Sequence, residues 1–490
     1  MPAVTPSQPA SDGWLDRTFR DPGGYLFQSG GRVFRLVTDP SAVAALEELL
    51  PLPAVRALLE AGKLVATWPV ESREAAPFLE VATGSSGGPP GARLFEHERV
   101  PFQSFPCEWP AEMLHAAGAL TLELSTALLG HDFSLKDATP YNVLFRGPRP
   151  VFVDLLSFEK REAGDPVWRA YAQFVRTFLM PLLVSKKFGT GLDQVFLSRR
   201  DGLEPGDVYR MSSVGQRLLP PFLGLVSLPT WLANGDAAEK QGLYKPKRLE
   251  NPEKARFIFT SLLGSLSRTL ARVAPLGARE STWSTYMNRG QNNYSDAQAE
   301  AKRRFVDEAL AELKPRAVLD VGCNTGTFSA AAAEAGARVV AIDTDPVVVG
   351  QTWQLARGKQ LDILPLVVDL ARPTPALGWN NREHPSFLER ASGQFDLVMM
   401  LAVIHHLMVT EGIPLAGLID AAALLTRDAA LIEFVAPEDS MFRRLCRGRE
   451  ALYAGLDHLA VESAARARFD VLRVHHQEGS TRWLYLLRRR

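Results

Sequence analysis

Cysteine is nearly absent: Cys107, Cys323 and Cys446 are the only three in 490 residues. They are scattered without metal-type spacing, so neither a disulfide framework nor a zinc site is expected, and a reducing cytoplasm is the compartment that fits. An excess of either charge is absent too, 55 Lys and Arg standing against 55 Asp and Glu. No global field therefore draws the protein to nucleic acid or to an anionic membrane, and a nucleic-acid substrate is not expected. Long hydrophobic runs are also missing. The longest, Phe178–Val184 and Pro220–Ala233, are too short or too broken by proline to cross a bilayer, so no membrane span is expected. The start, Met1–Gly13, is rich in Pro, Ser and Ala with no basic stretch leading into an apolar run, and reads as a flexible tail rather than a secretory signal.

What is present is globular material, 46% hydrophobic and 22% charged, in a chain long enough for two or three compact units. The densest punctuation falls between Ala233 and Ala255, where Asn234-Gly235-Asp236, Lys245-Pro246-Lys247 and Asn251-Pro252 interrupt any hydrophobic period. This divides the chain into a tail (1–13), an N-terminal unit (14–232), a connector with a helical segment (233–282) and a C-terminal unit (283–490). The tract Thr83–Pro90, rich in Gly and Ser, reads as a flexible loop inside the N-terminal unit.

The C-terminal unit alternates helix and strand signals. Ser295 with Gln298 forms a capping box, opening a helix with an apolar face of Phe305, Val306, Ala309, Leu310 and Leu313. Strands are expected at Ala317–Val321, Arg338–Ile342, Leu364–Val368, Leu397–Leu401 and Leu431–Val435, and a last one around Trp483–Leu487 at an edge. Helical segments between them predict a mostly parallel sheet covered on both faces. After the first strand, Gly322 and Gly326 let the backbone approach a ligand where open α/β sheets place their crevice. Asp343 ends the second strand, where a carboxylate can accept both hydroxyls of a ribose. Asp369, after the third, is placed to receive an adenine amino group, and Leu401, ending the fourth, to line the ligand.

Asp320-Val321-Gly322-Cys323-Asn324-Thr325-Gly326 resembles motif I of the class I methyltransferases, and Ala341-Ile342-Asp343 resembles their following acidic motif. Val367-Val368-Asp369-Leu370 and Phe395-Asp396-Leu397-Val398 resemble the third- and fourth-strand motifs. The resemblance covers nearly the whole C-terminal unit. It implies a Rossmann-like seven-stranded sheet that binds S-adenosylmethionine, with Asp320, Gly322, Asn324, Gly326, Asp343, Asp369 and Leu401 at the cofactor, and direct methyl transfer. A nicotinamide-binding domain is the rival, but the glycine spacing is not G-x-G-x-x-G. His405-His406 follows the fourth strand on the acceptor side; either histidine can serve as general base, or the pair can simply shape the pocket. Glu433 is a further base candidate. Trp283, Tyr286 and Tyr294 are candidates for an aromatic lid, or for core packing.

In the N-terminal unit, Pro110–Gly130 reads as a buried helix along Met113, Ala117, Leu120, Leu124 and Leu128. Leu135-Lys136-Asp137-Ala138-Thr139-Pro140-Tyr141-Asn142, a turn at Gly147-Pro148 and a strand ending at Asp154 follow. This order resembles the catalytic segment of protein-kinase-like and aminoglycoside-phosphotransferase-like enzymes. The resemblance implies an α+β kinase-like domain in which Asp137 accepts a substrate proton and Asn142 and Asp154 hold magnesium of Mg-ATP. The pattern departs from the family: Leu155-Leu156-Ser157 replaces Phe-Gly after Asp154, and Gly30-Gly31 reads as a hairpin turn rather than a phosphate loop. Arg35 and Lys63 are the candidate nucleotide-binding cations. An unrelated α/β domain, with Asp137 and Asn142 as a loop-capping pair, is the alternative.

The sequence thus predicts a two-unit enzyme methylating a small-molecule, glycan or lipid-linked acceptor. A bifunctional kinase-methyltransferase and a donor-binding sensor without turnover are the alternatives. Acceptor specificity is expected in the irregular segments Asn380–Phe387 and Ser440–Gly455.

Overall fold

A computed structural model describes residues 18, 20–21, 23–83, 89–233, 248–276, 281 and 295–490. The tail Met1–Gly13, residues 84–88 of the loop, 234–247 of the connector, and Trp283, Tyr286 and Tyr294 lie outside them.

The N-terminal unit opens with an antiparallel hairpin, β1 (Gly24–Ser29) and β2 (Arg32–Val37), turned by Gly30 and Gly31 at φ 56° and 75°. Both glycines take the left-handed conformation that a two-residue hairpin turn requires. With β3 (Thr67–Pro69) and β4 (Arg93–His97) they form a sheet in the order β1-β2-β4-β3. Beyond it the helix Ala111–Leu128 is buried on most of its circumference, the condition of a helix apolar all round. Among the described residues Ala111–His131 alone is long and apolar enough to cross a membrane, and most of it is buried inside the protein. The helix Pro252–Val273 packs on it through Phe259, Leu263, Leu266 and Leu270. The strand pairs β5 (Phe133–Leu135) with β8 (Phe158–Lys160), and β6 (Val143–Arg146) with β7 (Arg149–Phe152), complete the unit.

The C-terminal unit starts at the expected capping box: Gln298 N donates to Ser295 Oγ at 3.3 Å and Ser295 N to Gln298 Oε1 at 2.9 Å. Its strands are β9 (Ala317–Val321), β10 (Arg338–Asp343), β11 (Ile363–Val367), β12 (Phe395–Met400), β13 (Thr426–Val435), β14 (Phe469–His476) and β15 (Arg482–Arg489). They form one seven-stranded sheet in the order β11-β10-β9-β12-β13-β15-β14, with the first five parallel and β15 antiparallel to both neighbours. The expectation that the last strand lies at an edge is corrected. Leu484, Tyr485, Leu486 and Leu487 are buried in succession, the signature of a strand covered on both faces, and β15 sits between β13 and β14. The edge is β14.

The two units share one apolar core, which runs from Trp109, Phe145 and Phe152 to Val340, Trp353 and Leu366. Trp353 Nε1 donates to the Pro148 carbonyl at 3.1 Å, and the Tyr141 ring stacks on His384 at 5.0 Å. Buried Arg390, on the helix Phe387–Ala391, pairs with buried Glu108 under the rings of Phe102, Phe105 and Phe387. The segment Asn380–Phe387 is thus held against the N-terminal unit through His384.

Candidate functional site

The chain runs from β9 to β10 and β11 on one side, then returns to β12 on the other. This reversal opens a crevice at the carboxyl ends of β9 and β12. The turn after β9 lies in it. Gly322 and Gly326 have φ of 71° and 81°, and a Cβ on Gly326 would stand 2.7 Å from Thr352 Cγ2. Asn324 also takes a positive φ, 49°, which asparagine tolerates better than other side-chain-bearing residues. Its N–H donates to Asp343 Oδ2 at 3.0 Å, and the Asp345 N–H donates to Asp343 Oδ1 at 3.1 Å. The turn is therefore tied to the end of β10 through Asp343, and each carboxylate oxygen keeps accepting capacity for a further donor. Burial pushes the Asp343 carboxyl above the usual range, partly opposed by these backbone donors.

Asp320 faces away from solvent, and Ser329 Oγ donates to its Oδ2 at 2.6 Å. Burial raises its pKa to about 6, against the Ser329 hydrogen bond. The folded state holds this proton above the pH at which the unfolded chain releases it, so stability falls as pH rises from about 4 to about 6. The expected loss across that window is roughly 3 kcal/mol. Asp320→Asn, which retains an acceptor for Ser329, should flatten this part of the stability curve in urea denaturation at stepped pH. An unchanged slope would remove Asp320 as its origin.

Asp369 lies just beyond β11, its carboxylate accepting from Ala371 N at 2.9 Å and pairing with Arg372 at 2.9 Å. Leu401 is buried at the end of β12. Ala402, next in the chain, has a φ of 55°, a left-handed conformation that costs roughly 1 kcal/mol in a residue with a Cβ. Ala402→Gly should therefore raise thermal stability by about that amount. A lower Tm would show that the methyl group's packing outweighs the backbone strain. Cys323 is buried, and burial pushes its thiol well up, so it is no activated thiolate.

His405 and His406 lie on the short helix Ile404–Val409 with ring centroids 4.2 Å apart. His405 is 3% exposed and packs near Phe442, at the start of the segment Ser440–Gly455. Burial holds both imidazoles below their usual pKa, and His406, Arg482 and Lys302 lower His405 further. Both are held neutral near pH 7, and the same burial and cations disfavour the protonated form, more at His405 than at His406. Beside them runs a chain of charges that sequence reasoning largely missed. Lys302 Nζ is 2.6 Å from Glu433 Oε2, Glu433 Oε1 is 3.5 Å from Arg482, and Arg482 Nε donates to Asp439 at 3.0 Å. The available signal was Lys302, which falls on the same helical stripe as Phe305, Val306, Ala309 and Leu310, where a charge needs a buried partner.

In the N-terminal unit Asn142 Nδ2 donates to Ser157 Oγ at 2.8 Å, and Ser157 Oγ to Asp154 Oδ2 at 2.6 Å. Asp154 Oδ1 is 2.9 Å from the buried Arg35 guanidinium, which also reaches Asp21 at 3.5 Å. Lys63 instead pairs with Glu123 on the surface. Burial raises the Asp137 carboxyl, with the nearby Lys136 opposing it. Asp154 is thus engaged by a guanidinium and Asn142 by Ser157, which weighs against the pair holding magnesium in this arrangement.

A family model described as a methyltransferase domain matches residues 294–482. Among solved structures, the chain is similar to magnesium protoporphyrin IX methyltransferase (ChlM) from Synechocystis PCC 6803 with bound SAH, at 20% identity over 44% of this chain and 90% of that one, TM-score 0.31. It is also similar to N-methyltransferase NodS from Bradyrhizobium japonicum WM9, at 15% identity over 40% and 98%, TM-score 0.30. A third similarity is to the bifunctional kinase-methyltransferase WbdD, at 21% over 39% and 40%, TM-score 0.29. Nodulation protein NoeA of Rhizobium meliloti (strain 1021) is 31% identical over 479 residues, covering 96% of this chain and 95% of the relative. With a methyltransferase domain at its C-terminal end and a match of that identity along almost its whole length, the chain belongs to the family of NoeA.

Proposed function

We propose that the protein is an S-adenosylmethionine-dependent methyltransferase acting on a small-molecule, glycan or lipid-linked acceptor. The observation that carries this reading is the junction of the Gly322–Gly326 turn with Asp343 at the switch point of the sheet. Asp343 would accept hydrogen bonds from the ribose hydroxyls, the glycine turn would lie along the donor, Asp369 would border its adenine and Leu401 would line the donor. When bound, the donor supplies an electrophilic methyl group: the acceptor's lone pair forms the new bond while the C–S bond breaks and sulfur keeps its electron pair. His405 or His406, neutral at pH 7, would take the acceptor's proton as attack makes it acidic. The three cysteines are all buried free thiols, which supports a reducing cytoplasm as the working compartment.

The order of helix, β5, Asp137, Asn142, hairpin and Asp154 favours a second reading, in which the N-terminal unit is kinase-like and handles a nucleotide. The Arg35 pair on Asp154 weighs against magnesium there. One experiment separates the readings: tritiated S-adenosylmethionine with candidate acceptors, and in parallel titration of the protein with Mg-ATP. Label transfer without ATP binding is the expected result. Donor binding without transfer to any acceptor would favour a sensor, and ATP binding lost in Asp154→Ala would favour the bifunctional enzyme.

A further inference from the structure

The end of the sheet beside the histidines holds a polar group without a partner. Gln477 follows β14 and faces Arg482 across the hairpin, its backbone N–H donating to the Arg482 carbonyl at 3.0 Å. Its side chain is 0% exposed, and neither its Oε1 nor its Nε2 has a hydrogen-bond partner. His405 Nδ1 is likewise buried and unmatched. Buried amides in folded proteins are normally satisfied, so a side chain with both ends unmet asks for an explanation. The ions around it are already matched: Lys302, Glu433, Arg482 and Asp439 form a continuous chain of two cations and two anions.

Cross-strand neighbours point to one face of a sheet, so Gln477 shares the face on which Arg482, Glu433 and Lys302 meet. His405 lies near this group of charges, close enough for Arg482 and Lys302 both to oppose its protonation. We propose that Gln477 and His405 form the acceptor subsite, and that it takes a neutral, hydroxyl-rich molecule of carbohydrate chemistry.

The chemistry decides the class. Gln477 needs an acceptor for its NH2 and a donor for its carbonyl, and a hydroxyl is both. Two neighbouring hydroxyls satisfy both ends, and a third serves His405 Nδ1 in either tautomer. A phosphate or carboxylate brings acceptors alone and would leave Oε1 unmet. An ammonium brings donors alone and would leave Nε2 unmet. This inference rests on the methyltransferase reading and names what that site would methylate.

The test is saturation-transfer NMR on the full chain with S-adenosylhomocysteine present. The probes are neutral hexose and N-acetylhexosamine oligosaccharides, hexose phosphates with uronates, and neutral peptides. Binding of a neutral oligosaccharide is expected, weakened at least tenfold in Gln477→Leu. The same variant should keep its affinity for S-adenosylhomocysteine by calorimetry and show an equal or higher Tm, because it removes an unsatisfied buried amide. A merely structural glutamine would instead give a lower Tm. That outcome, preference for the anionic or peptide probes, unchanged sugar binding in the variant, or no sugar binding while the donor product binds would each overturn the proposal. Failure to bind S-adenosylhomocysteine at all would instead remove the donor assignment, and the acceptor subsite with it.

Discussion

Asp343→Ala is expected to lower affinity for S-adenosylmethionine at least a hundredfold, read by calorimetric titration beside the unchanged chain. Two losses combine. The carboxylate would accept two ribose hydroxyls, and charge-assisted hydrogen bonds are each worth about 1.5–3 kcal/mol. The same carboxylate holds Asn324 N and Asp345 N, so its removal also frees the turn that must lie along the donor. Asp343→Asn keeps one oxygen for a backbone donor and should lose less, about tenfold to fiftyfold. Full affinity in the alanine variant would place the donor elsewhere.

Arg390→Ala should lower stability steeply, by about 3–5 kcal/mol in urea denaturation. Glu108 is fully buried, and one of its oxygens receives Phe105 N while the other pairs with Arg390. Removing the guanidinium leaves a carboxylate between two apolar surfaces with half its partners, and also removes packing against three phenylalanine rings. Because the pair joins the two units, donor affinity should fall with stability only where the interface has opened. The double variant Glu108→Gln/Arg390→Met, which leaves no unpaired charge, should recover much of the loss. A change below about 1 kcal/mol in the single variant would mean that water reaches Glu108.

The donor crevice is legible in the sequence because its signals are local. Apolar runs end at Val321 and Ile342, glycines follow the first, and an acid follows the second, so strand, turn and carboxylate fall in register without knowledge of distant contacts. Asn324 is readable too once its tolerance for positive φ is weighed. The β14–β15 hairpin is harder. Asp470 and Arg473 break the apolar pattern of β14, hiding an edge strand whose presence moves β15 into the interior.

Least legible are contacts made across the chain. Arg390 and Glu108 stand 282 positions apart, and nothing in either neighbourhood marks the other. The stacking of Tyr141 on His384 belongs to the same interface, and it takes up a segment whose irregular sequence suggests a free acceptor loop. Arg35 is a mixed case: its place on β2 is clear from the hairpin, but that it would reach Asp154 rather than a nucleotide depends on how the sheet seats on β7.

The donor assignment stands or falls most clearly on a crystal structure of the full chain grown with S-adenosylhomocysteine. The ligand is expected in the crevice at the ends of β9 and β12, its ribose hydroxyls within hydrogen-bonding distance of Asp343 at the end of β10 and its sulfur directed toward the side of His405. A ligand bound elsewhere, or a ribose held by a residue other than Asp343, would contradict that assignment.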